Sequence, residues 1–181
     1  KDQMVEFYAD GVKIIDFFKK KRNQYFSKRG YELLGIETEL DYDLDKNIKF
    51  RGFIDLIIKD TVRNRIKIID IKTATHGWNK YQKVDKNKTD QLLLYKQFYS
   101  KQFDVPLDRI EVEYFIVKRK LWENTDFPQK RIQTFSPANG KPSINKVNLR
   151  LKNFIDDCFT DDGEYRDDHT YNKLPSKKNC R

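Results

Sequence analysis

The chain has 181 residues, with 37 Lys+Arg against 28 Asp+Glu for a formal charge of +9. That length and a hydrophobic share of 38% support one domain with a real core. No uninterrupted apolar run approaches the ~20 residues that cross a bilayer and nothing resembles a signal peptide, which excludes a membrane protein.

Two cysteines, Cys158 and Cys180, cannot make a disulfide scaffold of the secreted type. The basic balance favours a polyanionic partner such as nucleic acid. Lys1 at the start and Cys180-Arg181 at the end read as cut ends, so a piece of a longer chain is expected.

Residues 1–30 show helical periodicity, with Met4, Phe7, Tyr8, Gly11, Ile14, Ile15, Phe18, Arg22 and Tyr25 at three- and four-residue steps. The run Lys19-Lys20-Lys21-Arg22 on that helix is either a solvated face or a phosphate-facing stripe. From Tyr31 the period becomes two: Ile36, Leu40 and Tyr42 fall on one side of a strand, and Glu37, Glu39 and Asp41 on the other. Turn chemistry at Asp43–Asn47 leads to a second strand, about Ile48–Lys59, and Asp60–Asn64 leads to a third, about Arg65–Thr73. A polar stretch, Ala74–Asn87, then precedes a helix of about Lys88–Phe103, strands at Arg109–Lys118 and Lys130–Phe135, and an amphipathic helix at Ser143–Phe159. The predicted order is α-β-β-β-α-β-β-α, an α/β domain with a mixed sheet covered by helices. The acid-rich segment Asp156–Asp168 lacks the spacing of a calcium loop and reads as solvated surface.

The informative residues lie on the second and third strands. In RGFIDLII, Asp55 interrupts an apolar strand, and in IKIIDIKT, Asp70 and Lys72 do the same. Period two puts Asp70 and Lys72 on one face with Ile71 pointing away. Buried charge is costly unless it is paired or holds a metal. One explanation is a structural Asp–Lys ion pair beside a solvent-facing Asp55. The other is a hard-cation site, whose oxygen ligands suit Mg²⁺ or Mn²⁺ and a phosphate. In that case Lys72 would orient a water or stabilise developing negative charge.

Taken in order, GIETEL with Glu37, RGFIDLII with Asp55, IIDIKTA with Asp70 and Lys72, and DQLLLYKQFY with Gln91 and Tyr95 resemble the RecB-like branch of the PD-(D/E)XK nuclease superfamily. The resemblance spans roughly residues 35–99. It implies a restriction-endonuclease-like core, with a helical N-terminus at 1–30, a catalytic core at about 31–136, and a C-terminal helix and tail at 143–181. It also implies metal-dependent hydrolysis of DNA phosphodiesters, as a RecB-like exonuclease, with a structure- or sequence-directed endonuclease or a non-catalytic nucleic-acid-binding module as rivals. Asp55, Asp70 and the carbonyl of Ile71 become metal ligands for Mg²⁺ or Mn²⁺, Lys72 the catalytic lysine, and Glu37 a ligand or site-shaping acid. Glu39 competes with Glu37 for that role.

Gln91 and Tyr95 share a helix face. By the resemblance they line the active-site channel; otherwise Tyr95 is core and Gln91 its rim. In the loop after the third strand, Trp78 or Tyr81 would stack bases while Lys80 and Lys83 hold phosphates, or the Trp packs down on the domain. RecB-like enzymes often carry a metal-binding His on the first helix, whereas the only histidines here are His76, read as a solvent- or substrate-contacting loop residue, and His169. Some relatives hold a four-cysteine iron–sulfur cluster, and the tail around Cys180 resembles its start; two cysteines cannot supply four ligands, so no cluster is expected in this chain. Cys158, on the amphipathic last helix, is expected as a buried small residue rather than a ligand. The expected partners are DNA, single-stranded or with duplex ends, and a helicase or recombination protein, in an intracellular setting (cytoplasm or nucleoid).

Overall fold

A computed structural model describes residues 2–27, 29–122, 125–167 and 170. The element order is α1 (Asp2–Tyr25), β1 (Tyr31–Asp43), β2 (Lys49–Asp60), β3 (Arg65–Ala74), α2 (Lys80–Val84), α3 (Lys86–Gln102), β4 (Ile110–Lys118), β5 (Ile132–Phe135) and α4 (Lys141–Cys158). Among the described residues, no helix is long and apolar enough to cross a membrane.

The five strands form one sheet in the order β1-β2-β3-β4-β5. Short polar turns make β1, β2 and β3 an antiparallel meander. The helical crossover through α2 and α3 is long enough to bring β4 in parallel to β3, and β5 then pairs antiparallel to β4. The result is the expected mixed sheet flanked by helices.

Strand alternation gives the sheet two apolar faces. One carries Leu40, Ile54, Ile57, Ile68, Val112 and Ile116 and is covered by Leu92, Tyr95, Phe98 and Tyr99 of α3. The other carries Ile69, Phe115 and Val117 and receives Ile14, Phe17, Phe18 and Tyr25 of α1. Ile144 and Val147 of α4 pack on Leu93 of α3, and Arg150 of α4 clamps Asp90 of α3 at 2.6 and 2.7 Å. The α1 periodicity therefore marks a helix that packs through Ile14, Phe17, Phe18 and Tyr25 and leaves Met4, Tyr8 and Ile15 on the surface.

Residue 36 departs from the expected strand face. Leu40 and Tyr42 belong to the α3-side core, as predicted, but Ile36 is 63% exposed and lines a cavity on the α1 side. The reason is a break in alternation: Glu37 has a positive φ of 48°. Opposite it, Ile54 and Ile57, three residues apart, both fill the α3-side core. Glu37 and Asp55 lie between the paired positions Ile36–Leu56 and Thr38–Ile54. A non-glycine residue in the left-handed region is uncommon and concentrates at functional sites.

Gly52 of β2 explains the first residue of G-x-x-D. A Cβ there would lie 2.8 Å from Cε1 of Tyr95, so the buried Tyr95 ring rests directly on the Gly52 backbone. Gly52→Ala should therefore force the ring aside and destabilise the domain by about 1–3 kcal/mol, the usual range for overpacking. Denaturant unfolding measures this. A midpoint equal to the parent's would show that α3 does not depend on the contact.

Candidate metal and nucleic-acid site

The β2–β3 ladder runs from Asp60–Arg65 to Leu56–Ile69 and ends there. Asp55 and Asp70 would be the next pair, so the two carboxylates stand where the strands part. The Asp55 side chain takes over from the lost ladder: its Oδ2 accepts a 2.6 Å hydrogen bond from the backbone N–H of Ile71. That bond fixes the carboxylate of one strand against the backbone of the next.

Asp70 is 1% exposed. Nζ of Lys72 lies 2.8 Å from its Oδ2, while the Lys72 side chain remains 36% exposed. Among the described residues this half-exposed lysine is the one cation paired with the buried carboxylate. Burial pushes the Asp70 carboxyl above the ordinary aspartate value, Lys72 pulls it down, and neighbouring Asp55 adds a further upward push, with a net upward result. The ion pair anticipated from the sequence is thus present but leaves Asp70 under-compensated. A hard cation would add positive charge at a buried carboxylate that one lysine only partly compensates. Asp55 and Asp70 fit such an ion chemically. Among the described residues no three His, Cys, Asp or Glu side chains converge, so further ligands would be backbone carbonyl, water and phosphate.

Glu37 is exposed and forms no cluster with the two aspartates. Its competitor Glu39 lies 3.4 Å from Arg51 on the sheet surface. Ile71 points to the other face, is 42% exposed and lines the α1-side cavity with Asp55, Tyr25 and Phe115, a space of about 800 Å³.

Gln91 and Tyr95 share a face of α3, and Nε2 of Gln91 donates to the Tyr95 hydroxyl at 3.0 Å. Tyr95 is 8% exposed and sits in the core cluster, with Gln91 half-buried beside it.

Trp78 is corrected. It is buried at 8% exposure against Tyr114, with its backbone N–H donating to Gln133 Oε1 of β5 at 2.7 Å and its carbonyl accepting from Gln133 Nε2 at 3.1 Å. An indole pinned in the core cannot stack on a base. Lys80 is exposed, with its ammonium over the ring of Tyr81, itself 71% exposed. Cys158 is a half-buried free thiol on α4, while His169 and Cys180 lie outside the described residues.

A residue that the sequence did not single out is Trp122. It stands 62% exposed and stacks on His76. The only signal was an isolated Trp among cations in the irregular segment between β4 and β5.

A family model of the PD-(D/E)XK nuclease superfamily matches residues 12–172. The chain belongs to that superfamily, whose members are divalent-metal-dependent nucleases. No curated protein matches. A solved structure titled "Crystal structure of SSO0001" is similar at 15% identity with a TM-score of 0.42, over 81% of this chain and 62% of that one. The chain thus spans less than two thirds of that protein.

The raised Asp70 carboxyl fixes a pH dependence. The folded protein holds this proton at pH values where the unfolded chain, near the ordinary value of 3.8, has already released it. Native protein then binds more protons than unfolded protein, so stability falls as pH rises from about 4 through the raised folded value. In EDTA this slope should appear in denaturant midpoints for the wild type and flatten in Asp70→Asn. Identical slopes for both would show that Asp70 carries no such strain.

Proposed function

We propose that the chain hydrolyses DNA phosphodiester bonds with Mg²⁺ or Mn²⁺, as a RecB-like exonuclease. The observation that carries this is the buried Asp70 carboxylate beside Lys72 and next to an Asp55 clamped to the same strand. Superfamily membership supports the reaction class, and the ordered set Glu37, G-x-x-D, D-x-K and Q-x-x-x-Y supports the RecB-like branch.

Asp55, Asp70 and the carbonyl of Ile71 would hold the cation. When bound, it supplies charge neutralisation at the attacked phosphate and acidifies water. Asp55 keeps its orientation because the Ile71 N–H occupies one of its oxygens. Lys72 keeps its ammonium beside Asp70 yet partly in solvent, where it can donate to an attacking water or to a phosphate oxygen. Glu37 shapes the opening through the kink it places in β1. Gln91, held by Tyr95, faces the substrate backbone from α3, and Lys80 attracts phosphates from the first residue of α2. Residues 1–181 act as one nuclease domain on this reading. DNA is the substrate, and a helicase or recombination protein is the expected partner class.

Asp70→Asn should abolish cleavage and Mn²⁺ binding together. Lys72→Ala should lower turnover on the order of 100–1000-fold while leaving calorimetric Mn²⁺ binding largely in place. EDTA should stop the wild-type reaction. A structural ion pair predicts the reverse pattern: both variants lose roughly 3–5 kcal/mol of stability but cleave normally per folded molecule. End-labelled linear DNA set beside a covalently closed circle tests the mode. Digestion of the circle at the linear rate would replace the exonuclease with an endonuclease.

A further inference from the structure

Beyond Lys72, β3 and β4 continue side by side. Lys72 pairs with Ile116 and Ala74 with Lys118. The backbone N–H of Arg119 then donates to Ala74 at 2.8 Å, and that of Lys120 to Thr75 at 2.9 Å. Just beyond, His76 and Trp122 lie face to face with ring centroids 3.8 Å apart and planes within 8°. His76 is four residues past Lys72, at most roughly 13 Å away for an extended strand.

The stack is built rather than accidental. Gln129 clamps the Trp122 backbone in both directions, accepting from its N–H and donating to its carbonyl, each at 2.8 Å. The Arg131 guanidinium donates to the carbonyls of Lys118 and Arg119, at 3.0 and 2.8 Å, and ties the base of the loop. His76 supports one indole face, and Trp122 remains 62% exposed. An indole is a large apolar surface that proteins usually bury; holding one in solvent against a parallel ring prepares it for a third planar group.

The surrounding charge selects that group. Arg119 and Lys120 are engaged by Asp10 and Glu6 of α1. Lys118 and Lys130 have no carboxylate partner among the described residues. The stem of Lys118 passes close to Gly77, next to His76, where an added Cβ would lie 3.0 Å from its Cε. An aromatic platform with the Lys118 stem passing close by, and Lys130 next in sequence to the Gln129 clamp, matches an unpaired nucleobase and its flanking phosphates. We propose that the His76–Trp122 stack is a base-stacking platform for single-stranded nucleic acid, a short distance from the D-x-K centre. Its position relative to cleavage rests on the nuclease reading above, but the stacking itself does not require cleavage.

Binding in EDTA separates the two. Labelled oligo-dT, an abasic oligonucleotide of equal length and a blunt hairpin duplex are titrated with the full chain. Trp122→Ala should weaken oligo-dT binding on the order of 5- to 100-fold and leave the abasic strand and the duplex unchanged. Trp122→Phe should bind oligo-dT nearly as the wild type does. The chain has two tryptophans, and Trp78 is buried; oligo-dT should therefore quench wild-type fluorescence and fail to quench Trp122→Phe. Wild-type affinity for oligo-dT in Trp122→Ala, or an equal loss for the abasic strand, would overturn the platform. Asp70→Asn runs alongside and should show the wild-type quench without cleaving in Mn²⁺. Cleavage by that variant would overturn the metal centre and leave the platform standing.

Discussion

A carboxylate at 1% exposure, met by one half-exposed lysine, is the constraint around which this sheet is organised. Asp70 comes to that burial on β3 two residues past Ile68, on the face that α3 covers. Lys72, two residues along the same strand face, supplies a counter-charge at 2.8 Å that offsets only part of the cost of burial. The protein therefore holds, in its interior, a carboxyl that burial raises above the ordinary aspartate value while Lys72 pulls it back. On the proposed reading, such a group costs the free domain stability that a bound cation would return, and in that sense the site would be prepared for its ligand.

The strands reach that arrangement by giving up regularity at one level of the sheet. The β2–β3 ladder stops at Leu56–Ile69, and alternation breaks in β1 and β2 at Glu37 and Asp55. A perfect ladder would pair Asp55 with Asp70 and bring like charges directly opposite one another, which is destabilising. Parting the strands instead lets Asp55 turn to the Ile71 N–H and leaves space between the carboxylates. The positive φ of Glu37 belongs to the same adjustment, since β1 must follow β2 as it changes face.

The strands were legible because an aspartate in an isoleucine run is visible against period two, and so was the common face of Asp70 and Lys72. All five strands and the three long helices lie within a few residues of their expected bounds. The slip at Glu37 was not legible: glutamate gives no hint of a left-handed backbone, and both registers put apolar residues on a covered face. The short helix α2 depends on a capping box between Asn79 and Gln82, weaker than any periodicity. Trp78 was ambiguous because indole suits both a core and a nucleobase, and the deciding partner, Gln133, lies on a distant strand. Trp122 lies where no period exists, and only the spatial approach of His76 gives it meaning.

Motif pieces far apart in sequence become one mechanical unit in space. Gly52 of G-x-x-D lies under the ring of Tyr95 of Q-x-x-x-Y, and the Tyr95 hydroxyl accepts from Gln91. The ring of Tyr114, opposite Asp70 on β4, carries a hydroxyl that donates to the carbonyl of Lys88 at the start of α3. Burial holds that phenol up in its protonated, donating form, with the Asp70 charge as the next largest cause. The crossover helix is thereby fixed to β2 through a glycine and to β4 through a tyrosine, on either side of β3. An α3 seated this way closes Asp70 off from water and sets Gln91 at the rim of the core by the same contacts. The burial that strains the carboxylate and the position of the helix beside it are therefore consequences of one packing arrangement.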